Sequence, residues 1–300
     1  MSPPAVAVRE AATVMLVRDA PELEVFMLRR NPRAVFVGGA HVFPGGSVDA
    51  LDGDPALAAR STGLAPATAD ALLGVPGATR FWVAALRETF EEAGVLLARH
   101  RGDGTLLDVE RATRTSLASA RARLLRGVTD LAAVLDAHDA SLDLGALVPF
   151  GRWITPVGAP RRFDTRFFVA AAPAGHEYAH DDVELVDSEW LHPDDALDRA
   201  RAGAIELIYP TIRSLLVMRR FTSAAAFLEA TRARWDAPDP LRVMDLEQGW
   251  QIDLTTDQEH RADDEASRFV MGMGRSDRAA DAHVDVDAAA DAPGSVAVGR

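Results

Sequence analysis

Residues 79–93 place the strongest constraint on the fold, because their apolar and their acidic positions both follow the period of an α-helix. The apolar side chains recur at the spacing of one helix face: Phe81, Val83, Ala84, Leu86 and Phe90. Gly94 follows directly, where a helix C-terminus is expected. Thr79–Ala93 is therefore predicted to be a helix.

The same helix concentrates negative charge near its C-terminal end. Glu88, Glu91 and Glu92 fall at positions i, i+3 and i+4, so their carboxylates share one helix face. Like charges at this spacing destabilise a helix by about 0.2–0.5 kcal/mol per pair, and the helix dipole disfavours anions there. A solvated acidic face is one interpretation of such a cluster. A site for a divalent cation, with Arg87 orienting one carboxylate, is the other.

The segments around this helix predict an α/β fold. Short apolar segments with β-branched or aromatic residues predict strands over 11–18, 23–29, 147–154, 162–170 and 183–191. Alanine- and leucine-rich segments predict two helices within 107–137, one over 193–201 and one over 211–234. The arginines of 111–126 are expected on a solvated helix face.

Length and composition indicate one large domain or two small ones, since the chain has 300 residues of which 48% are hydrophobic. We predict one domain over 1–240, a mixed β-sheet sandwiched between helices, with insertions at about 50–78 and 100–140. Residues 241–300 are predicted to be an extension that becomes a mostly disordered acidic tail after about residue 260, because few large apolar side chains remain there.

Charge and residue usage exclude several classes of function. Acidic residues outnumber basic ones by 45 to 32, and the net charge of −13 argues against binding to DNA or to anionic lipid. The chain has no cysteine and every basic residue except histidine is arginine, which rules out thiolate zinc sites, cysteine nucleophiles and lysine Schiff bases. We find no secretory signal, no membrane-spanning apolar run and no peroxisomal address, so the expected location is cytoplasmic.

Two motifs make the sequence resemble the Nudix hydrolase family. The family box is a glycine, five residues, a glutamate, seven residues, and then Arg-Glu-apolar-x-Glu-Glu-x-Gly-apolar. Its second half is matched by Arg87, Glu88, Glu91, Glu92, Gly94 and Val95, with Thr89 at the apolar position. Its first half is matched by Phe43-Pro44-Gly45-Gly46. However, Asp52 replaces the glutamate, and 34 residues instead of seven separate it from Arg87.

An interrupted box of this kind is similar to that of the Nudix subgroup that includes the peroxisomal coenzyme A diphosphatases. The similarity extends over about residues 10–235, through the segments Trp153-Ile154-Thr155-Pro156, Arg161-Arg162-Phe163-Asp164-Thr165 and Trp190-Leu191-His192-Pro193. The resemblance implies a Nudix fold. It also implies hydrolysis of the diphosphate that joins a nucleoside to another group, with coenzyme A or an acyl-CoA as the leading substrate.

The resemblance also implies a cofactor and its ligands. Mg²⁺ or Mn²⁺ would be bound by Glu91 and Glu92 and by the carbonyl of Gly45. Glu88 would be a further metal ligand or the general base, and Arg87 would hold a glutamate in place. Divalent cations would screen the diphosphate charge and lower the pKa of a bound water.

The resemblance to the family further implies a carboxylate from a later loop, about six residues before a strand tryptophan. Glu184 stands six residues before Trp190 and is the candidate, as a metal ligand or as an alternative base. Asp181 and Asp182 are its rivals. An ordinary loop glutamate is the alternative interpretation.

Three basic residues are candidates for binding the substrate. Arg161 and Arg162 could clamp a phosphate, such as the 3′-phosphate of coenzyme A, through bidentate hydrogen bonds; a strand-end salt bridge, for example with Asp164, is the alternative for each. His41, just before the Phe-Pro-Gly-Gly turn, is a candidate phosphate contact, although a lone histidine is more often structural.

Two other functions stay open. A hydrolase of NADH or ADP-ribose would carry the same box, and a Nudix-like sensor would bind a nucleotide without cleaving it. The retained box glutamates and the acidic extension disfavour the sensor, and the lack of cysteine disfavours a reaction of the isopentenyl diphosphate isomerase type. The expected partner is a small nucleoside diphosphate derivative, with no nucleic acid and no membrane. The resemblance adds a homodimer as one assembly to test.

Overall fold

The computed structural model describes residues 6–34, 37–107, 109–155, 160–176, 178–180 and 184–235. The predicted extension over 241–300, its acidic tail, and the rival ligands Asp181 and Asp182 lie outside the described residues. In the described ranges, every helix falls short of the length and hydropathy that a bilayer-spanning segment needs.

Groups of strands and groups of helices follow one another along the described residues. The strands are β1 Val8–Asp19, β2 Leu23–Arg30, β3 Ala40–Val42, β4 Gly45–Ser47, β5 Ser61–Thr62, β6 Ala98–His100, β7 Ala140–Asp143, β8 Val148–Ile154, β9 Arg162–Ala171, β10 Leu185–Leu191 and β11 Glu206–Leu207. The helices are α1 Pro55–Ala58, α2 Pro66–Leu73, α3 Thr79–Ala93, α4 Arg111–Leu125, α5 Leu131–Ala137, α6 Pro193–Arg201, α7 Tyr209–Met218 and α8 Ala224–Trp235. The predicted helix over Thr79–Ala93 is confirmed at both ends.

β1 lies at the centre of a mixed sheet. The strand order is β11-β3-β2-β1-β9-β8, and β10 pairs with β2 while β4 pairs with β1. β1 pairs in parallel with β9 along ten positions, whereas β2 and β4 pair with it in the antiparallel direction. Residues 14–17 of β1 are at most 1% exposed, and since their side chains alternate between the two faces, both faces must be covered.

Helices cover the two faces. On one face Trp82 of α3 contacts Phe168 of β9, with ring centroids 4.9 Å apart. On the other face Phe227 of α8 contacts Phe150 of β8, with centroids 5.8 Å apart. The predicted fold class, a mixed sheet sandwiched between helices, is confirmed. This arrangement places the acidic end of α3 beside β1 and β4.

The prediction of a single helix over 211–234 is wrong, because α7 and α8 are separated by residues 219–223. The Asp19 carboxylate accepts a hydrogen bond of 2.7 Å from the N–H of Ala224. The Ser223 hydroxyl accepts one of 3.1 Å from the N–H of Ala226. Both satisfy backbone donors that a new helix N-terminus leaves without partners. Asp19 and Ala224 are 205 residues apart in the sequence, so no local pattern could predict this contact.

The two predicted insertions pack against each other. β5 of the first pairs in parallel with β7 of the second, and β6 pairs antiparallel with β7. Arg60 donates two hydrogen bonds of 2.8 and 2.7 Å to the Asp136 carboxylate, and its carbonyl accepts one of 2.8 Å from the N–H of Leu142. We refer to residues 50–78 and 98–143 as the insertion layer.

Candidate active site

The C-terminal end of α3 carries the acidic cluster. Gly94 has a φ of 72°, in the left-handed region that glycine adopts without steric cost. Its N–H donates to the Phe90 carbonyl at 3.1 Å, and the N–H of Val95 donates to the Thr89 carbonyl at 3.4 Å. Thr89 is fully buried, but its hydroxyl donates to the Ala85 carbonyl at 2.7 Å. Threonine therefore fits the apolar position of the box, since its polar group is satisfied within the helix.

The guanidinium of Arg87 is the centre of the cluster. Its Nε and Nη2 bind the two carboxylate oxygens of Asp52 at 2.9 and 3.0 Å. Its Nη1 donates to Glu88 at 2.9 Å and to Glu91 at 3.0 Å, and Nη2 also donates to the Ser47 carbonyl at 2.9 Å. Burial alone would lower the pKa of Arg87, but the bonds and charges of its carboxylate partners outweigh burial and raise that pKa. Arg87 is therefore a permanent cation that holds three carboxylates.

Asp52 rejoins the two halves of the interrupted box. Its carboxylate is fully buried, and its Oδ2 also accepts a hydrogen bond of 2.7 Å from the N–H of Asp49. The sequence marks Asp52 only as a departure from the family pattern. The five residues between Gly46 and Asp52, as in the family box, were the available signal that Asp52 would face Arg87.

Glu88 lies directly against the backbone of the Phe-Pro-Gly-Gly turn. A Cβ on Gly46 would stand 2.4 Å from Glu88 Oε1, so only glycine leaves room for this carboxylate. Burial raises the pKa of Glu88 to about 7, although the charge of Arg87 acts in the opposite direction. A carboxylate with this pKa can accept and release a proton near neutral pH.

Glu92 is fixed by the same turn. Its Oε2 accepts a hydrogen bond of 2.8 Å from the N–H of Gly45, and the residue is only 7% exposed. Burial raises the pKa of Glu92 well above its usual value, and the charge of Glu88 raises it further. Gly45 also fits only as glycine, because a Cβ there would stand 2.4 Å from the carbonyl oxygen of Ala12 on β1.

The donor set of the cluster fits a hard divalent cation. Burial raises the pKa of Glu88, Glu91 and Glu92. When all three are ionised, their negative charge exceeds the single positive charge of Arg87. Within the described ranges, no three acidic or histidine side chains converge closely enough to form a metal cage as they stand. Glu88 and Glu91 turn towards Arg87, and Glu92 turns towards Gly45. Carboxylate and carbonyl oxygens are nevertheless the ligands that Mg²⁺ and Mn²⁺ prefer.

Glu184 lies near the cluster, directly before β10. Its carbonyl accepts a hydrogen bond of 2.8 Å from the N–H of Asn31, and its Oε2 is 3.9 Å from Nη2 of Arg30. Its charge raises the pKa of Glu92, whereas the charge of Arg30 lowers it. The Glu184 side chain is 66% exposed, so it borders the buried carboxylates from the solvent side. No sequence pattern had singled out Arg30.

Arg161 and Arg162 lie apart from the acidic cluster. Arg162 is opposite the start of β1, and Gly45 is opposite Thr13. The two positions are five residues apart, which corresponds to about 17 Å along a strand. The Nε of Arg162 donates to the Thr155 carbonyl at 3.0 Å, and Arg161 is exposed.

The carboxylate of Asp164, considered above as a salt-bridge partner for those arginines, is bound by two others. Arg152 of β8 donates two hydrogen bonds of 2.7 Å to it. Arg166 of β9 donates a further, short one. These contacts hold the pKa of Asp164 below its usual value, although burial acts in the opposite direction.

His41 is buried and contacts Glu189 of β10. Its Nε2 lies 3.3 Å from Oε1 of Glu189 on β10, and Arg199 of α6 binds the same carboxylate at 2.7 and 3.0 Å. Burial lowers the pKa of His41, so the ring is largely neutral at neutral pH. The structure thus places His41 beneath α6.

Known proteins resemble this chain in sequence. The chain is 29% identical over 264 residues to the acyl-coenzyme A diphosphatase NUDT19 of Gallus gallus. The match covers 72% of this chain and 69% of that protein. It is 29% identical over 238 residues to the acyl-coenzyme A diphosphatase NUDT19 of Homo sapiens. That match covers 68% of this chain and 62% of the human protein. The match therefore spans less than two thirds of the human protein.

A solved structure and a family model agree with these relatives. A NUDIX hydrolase from Alicyclobacillus acidocaldarius is 32% identical, with a TM-score of 0.63, and the match covers 75% of this chain and 96% of that chain. The model of the NUDT19 Nudix domain matches residues 54–218, which is more than half of the chain and includes the whole of α3. The chain therefore belongs to the NUDT19 Nudix domain family and is a Nudix hydrolase.

Proposed function

We propose that the protein is a divalent-metal-dependent pyrophosphohydrolase that cleaves the diphosphate of coenzyme A or an acyl-CoA. The observation that carries this proposal is the Arg87-centred cluster, in which Glu88 and Glu92 are lodged against the Gly45-Gly46 backbone. The substrate class is supported by the relatives from chicken and man, whose names describe acyl-CoA diphosphatases.

The proposed ligands of Mg²⁺ or Mn²⁺ are the carboxylates of Glu91 and Glu92 and the carbonyl of Gly45, and Glu88 is either a further ligand or the general base. The chemistry that such a cation supplies is neutralisation of the diphosphate charge and activation of water. Arg87 keeps Glu88 and Glu91 in place through its two Nη1 hydrogen bonds, and the N–H of Gly45 keeps Glu92 in place.

Glu88 is the proposed proton acceptor. The oxygen of a water forms the new bond to phosphorus while the bond from phosphorus to the bridging oxygen breaks, and the proton of the water passes to the base. Arg87 binds the Glu88 carboxylate, which lies against the Gly46 backbone, so the position of this base is fixed. Glu184 is the alternative base, because its exposed carboxylate borders Glu92.

Arg161 and Arg162 are proposed contacts for a phosphate remote from the cleaved bond, since Arg162 lies about 17 Å along β1 from Gly45. The buried contact of His41 with Glu189 gives it a part in the packing of β3 under α6. We therefore do not include His41 in the proposed substrate site.

A substrate panel with product identification by mass tests the function. The purified chain is incubated with Mg²⁺ or Mn²⁺ and coenzyme A, acyl-CoAs, NADH, ADP-ribose or diadenosine polyphosphates. We expect 3′,5′-ADP and a phosphopantetheine from coenzyme A, and no turnover in EDTA. Turnover of NADH or ADP-ribose alone would refute the substrate and leave the chemistry standing. Nucleotide binding without any hydrolysis would favour a sensor.

A further inference from the structure

Arg121 of α4 binds the end of the carboxylate helix. Its Nε donates to the Glu91 carbonyl at 2.8 Å, and its Nη2 donates to the Glu92 carbonyl at 2.8 Å. Arg121 is half-buried at this contact. The sequence predicts that the arginines of 111–126 lie on a solvated face, and for Arg121 that prediction is wrong.

The last turn of α3 has a partner for each of its final five backbone carbonyls. Those of Thr89 and Phe90 accept hydrogen bonds from the residues just after the helix, and that of Ala93 accepts one of 3.2 Å from the N–H of Ala179. The carbonyls of Glu91 and Glu92 are the two that Arg121 binds. Because helix ends leave their last carbonyls without partners inside the helix, each of these contacts contributes to fixing the turn.

Arg121 also acts on the charge at this end of the helix. A helix C-terminus carries a partial negative charge, and here three carboxylates lie in the same turn and a half. A guanidinium bound to the final carbonyls offsets part of that repulsion. Its planar fork can span two adjacent carbonyls, which the single ammonium of a lysine cannot do in the same geometry.

We propose that Arg121 is a positioning residue for catalysis: from the insertion layer, it fixes the backbone of Glu91 and Glu92 so that their carboxylates can bind the catalytic cation together. This inference rests on the proposed function. It gives the second insertion a defined task, since α4 is the element that brings Arg121 to α3.

The test compares R121A and R121K with R123A in the full-length chain. Arg123 lies on the same helix and is exposed, so its replacement is the matched control. Far-UV circular dichroism and a cooperative melt establish that each variant folds. Mn²⁺ binding is then measured by electron paramagnetic resonance without substrate, and kcat and KM are measured with coenzyme A.

We expect R121A to weaken Mn²⁺ binding by about 10–100-fold, as is usual when a group that orients a metal ligand is lost. We expect kcat to fall by a similar factor while KM for coenzyme A stays within about twofold, because the substrate contacts are elsewhere. R121K should behave like R121A, and R123A like the wild type. R121K stands as the test on its own if R121A does not fold.

Each other result overturns the proposal in a recognisable way. Tight Mn²⁺ binding in a folded R121A variant, or a loss confined to KM, refutes the positioning role. Full activity of R121K refutes the bidentate geometry. If the wild type binds Mn²⁺ but hydrolyses none of the substrates, the proposed function fails, whereas the Mn²⁺ comparison still decides on Arg121. If the wild type binds no Mn²⁺, both the proposed function and the positioning role of Arg121 are refuted.

Discussion

Arg87 and Asp52 form a bidentate ion pair, with hydrogen bonds of 2.9 and 3.0 Å, across an interruption of 34 residues in the family motif. Asp52 is fully buried and Arg87 is 12% exposed, so solvent screens the pair little. The pair restores in space a motif that is broken in sequence. It also fixes the guanidinium that binds Glu88 and Glu91.

Replacing Asp52 by asparagine should therefore damage both stability and activity. D52N removes the charge that balances Arg87, and we expect a loss of about 3 kcal/mol in the free energy of unfolding, with kcat reduced. Urea denaturation and steady-state kinetics measure the two effects. D49N is the control, because Asp49 is exposed and lies 3.8 Å from Arg87. Equal stability of D52N and D49N would mean that the pair does not hold the site.

The two candidate bases are separated by E88Q and E184Q. We expect E88Q to lower kcat by about 10²–10⁴-fold, since that is the usual contribution of general base catalysis. E184Q should cost less than about tenfold if Glu184 only borders the site. Steady-state rates with coenzyme A as a function of pH give the comparison. The reverse order of the two effects would assign the base to Glu184.

Gly46 is expected to accept a side chain only if Glu88 leaves its observed position. In G46A the new Cβ would collide with Oε1 of Glu88, so Glu88 must move and we expect a loss of about 10²-fold in kcat, of the size seen when a general base is displaced. G53A is the control, because a Cβ on Gly53 meets no atom within 4 Å. Near-normal activity of G46A would show that the observed position of Glu88 is not the catalytic one.

The metal-free protein should lose stability as the pH rises. Burial raises the pKa of Glu92 well above its usual value and that of Glu88 to about 7. A carboxyl whose pKa is raised on folding favours the folded state while it is protonated. That contribution is lost as the pH rises from about 4.5, the usual value for glutamate, towards the raised pKa.

E92Q isolates this effect, since glutamine mimics a carboxyl that stays neutral. Burial lowers the pKa of His41 and His176, so below pH 6.5 these two histidines make the stability rise with pH. This contribution is the same in the wild type and in E92Q and cancels in the comparison. In EDTA we expect E92Q to melt like the wild type at pH 5 and at a higher temperature at pH 8. Mn²⁺ should raise the melting temperature of the wild type much more than that of E92Q. Equal melting temperatures of the wild type and E92Q at pH 8 would contradict the inference that an ionised Glu92 destabilises the metal-free protein.

Removing residues 262–300 should leave the activity unchanged. That segment is acidic, has few large apolar side chains and is predicted from its composition to make no core contact. Kinetics of the shortened chain, compared with the full chain, provide the measurement. A loss of catalysis would assign the tail a role that its composition does not indicate.

Local patterns in the sequence were sufficient for α3 and for its end at Gly94. The nearness of Glu92 to Gly45 was implied only by the resemblance to the family motif. Local patterns were insufficient where long-range contacts decide. The break before Ala224 depends on Asp19, and the contact of Arg121 with α3 depends on how two segments pack. A periodic pattern records which face of a helix is apolar, but it does not record which distant group satisfies a charge or a carbonyl.

The pairing of β5 with β7 has a consequence for how such a domain can change in evolution or by engineering. Deleting residues 50–78 alone would strip β7 of a neighbour and leave an open strand edge at Leu142, a surface prone to pairing with other chains. Deleting the later segment alone would leave β5 with no strand to join. The two pieces can therefore be transplanted or shortened only as a matched set, and only if Asp52 is kept to bind Arg87.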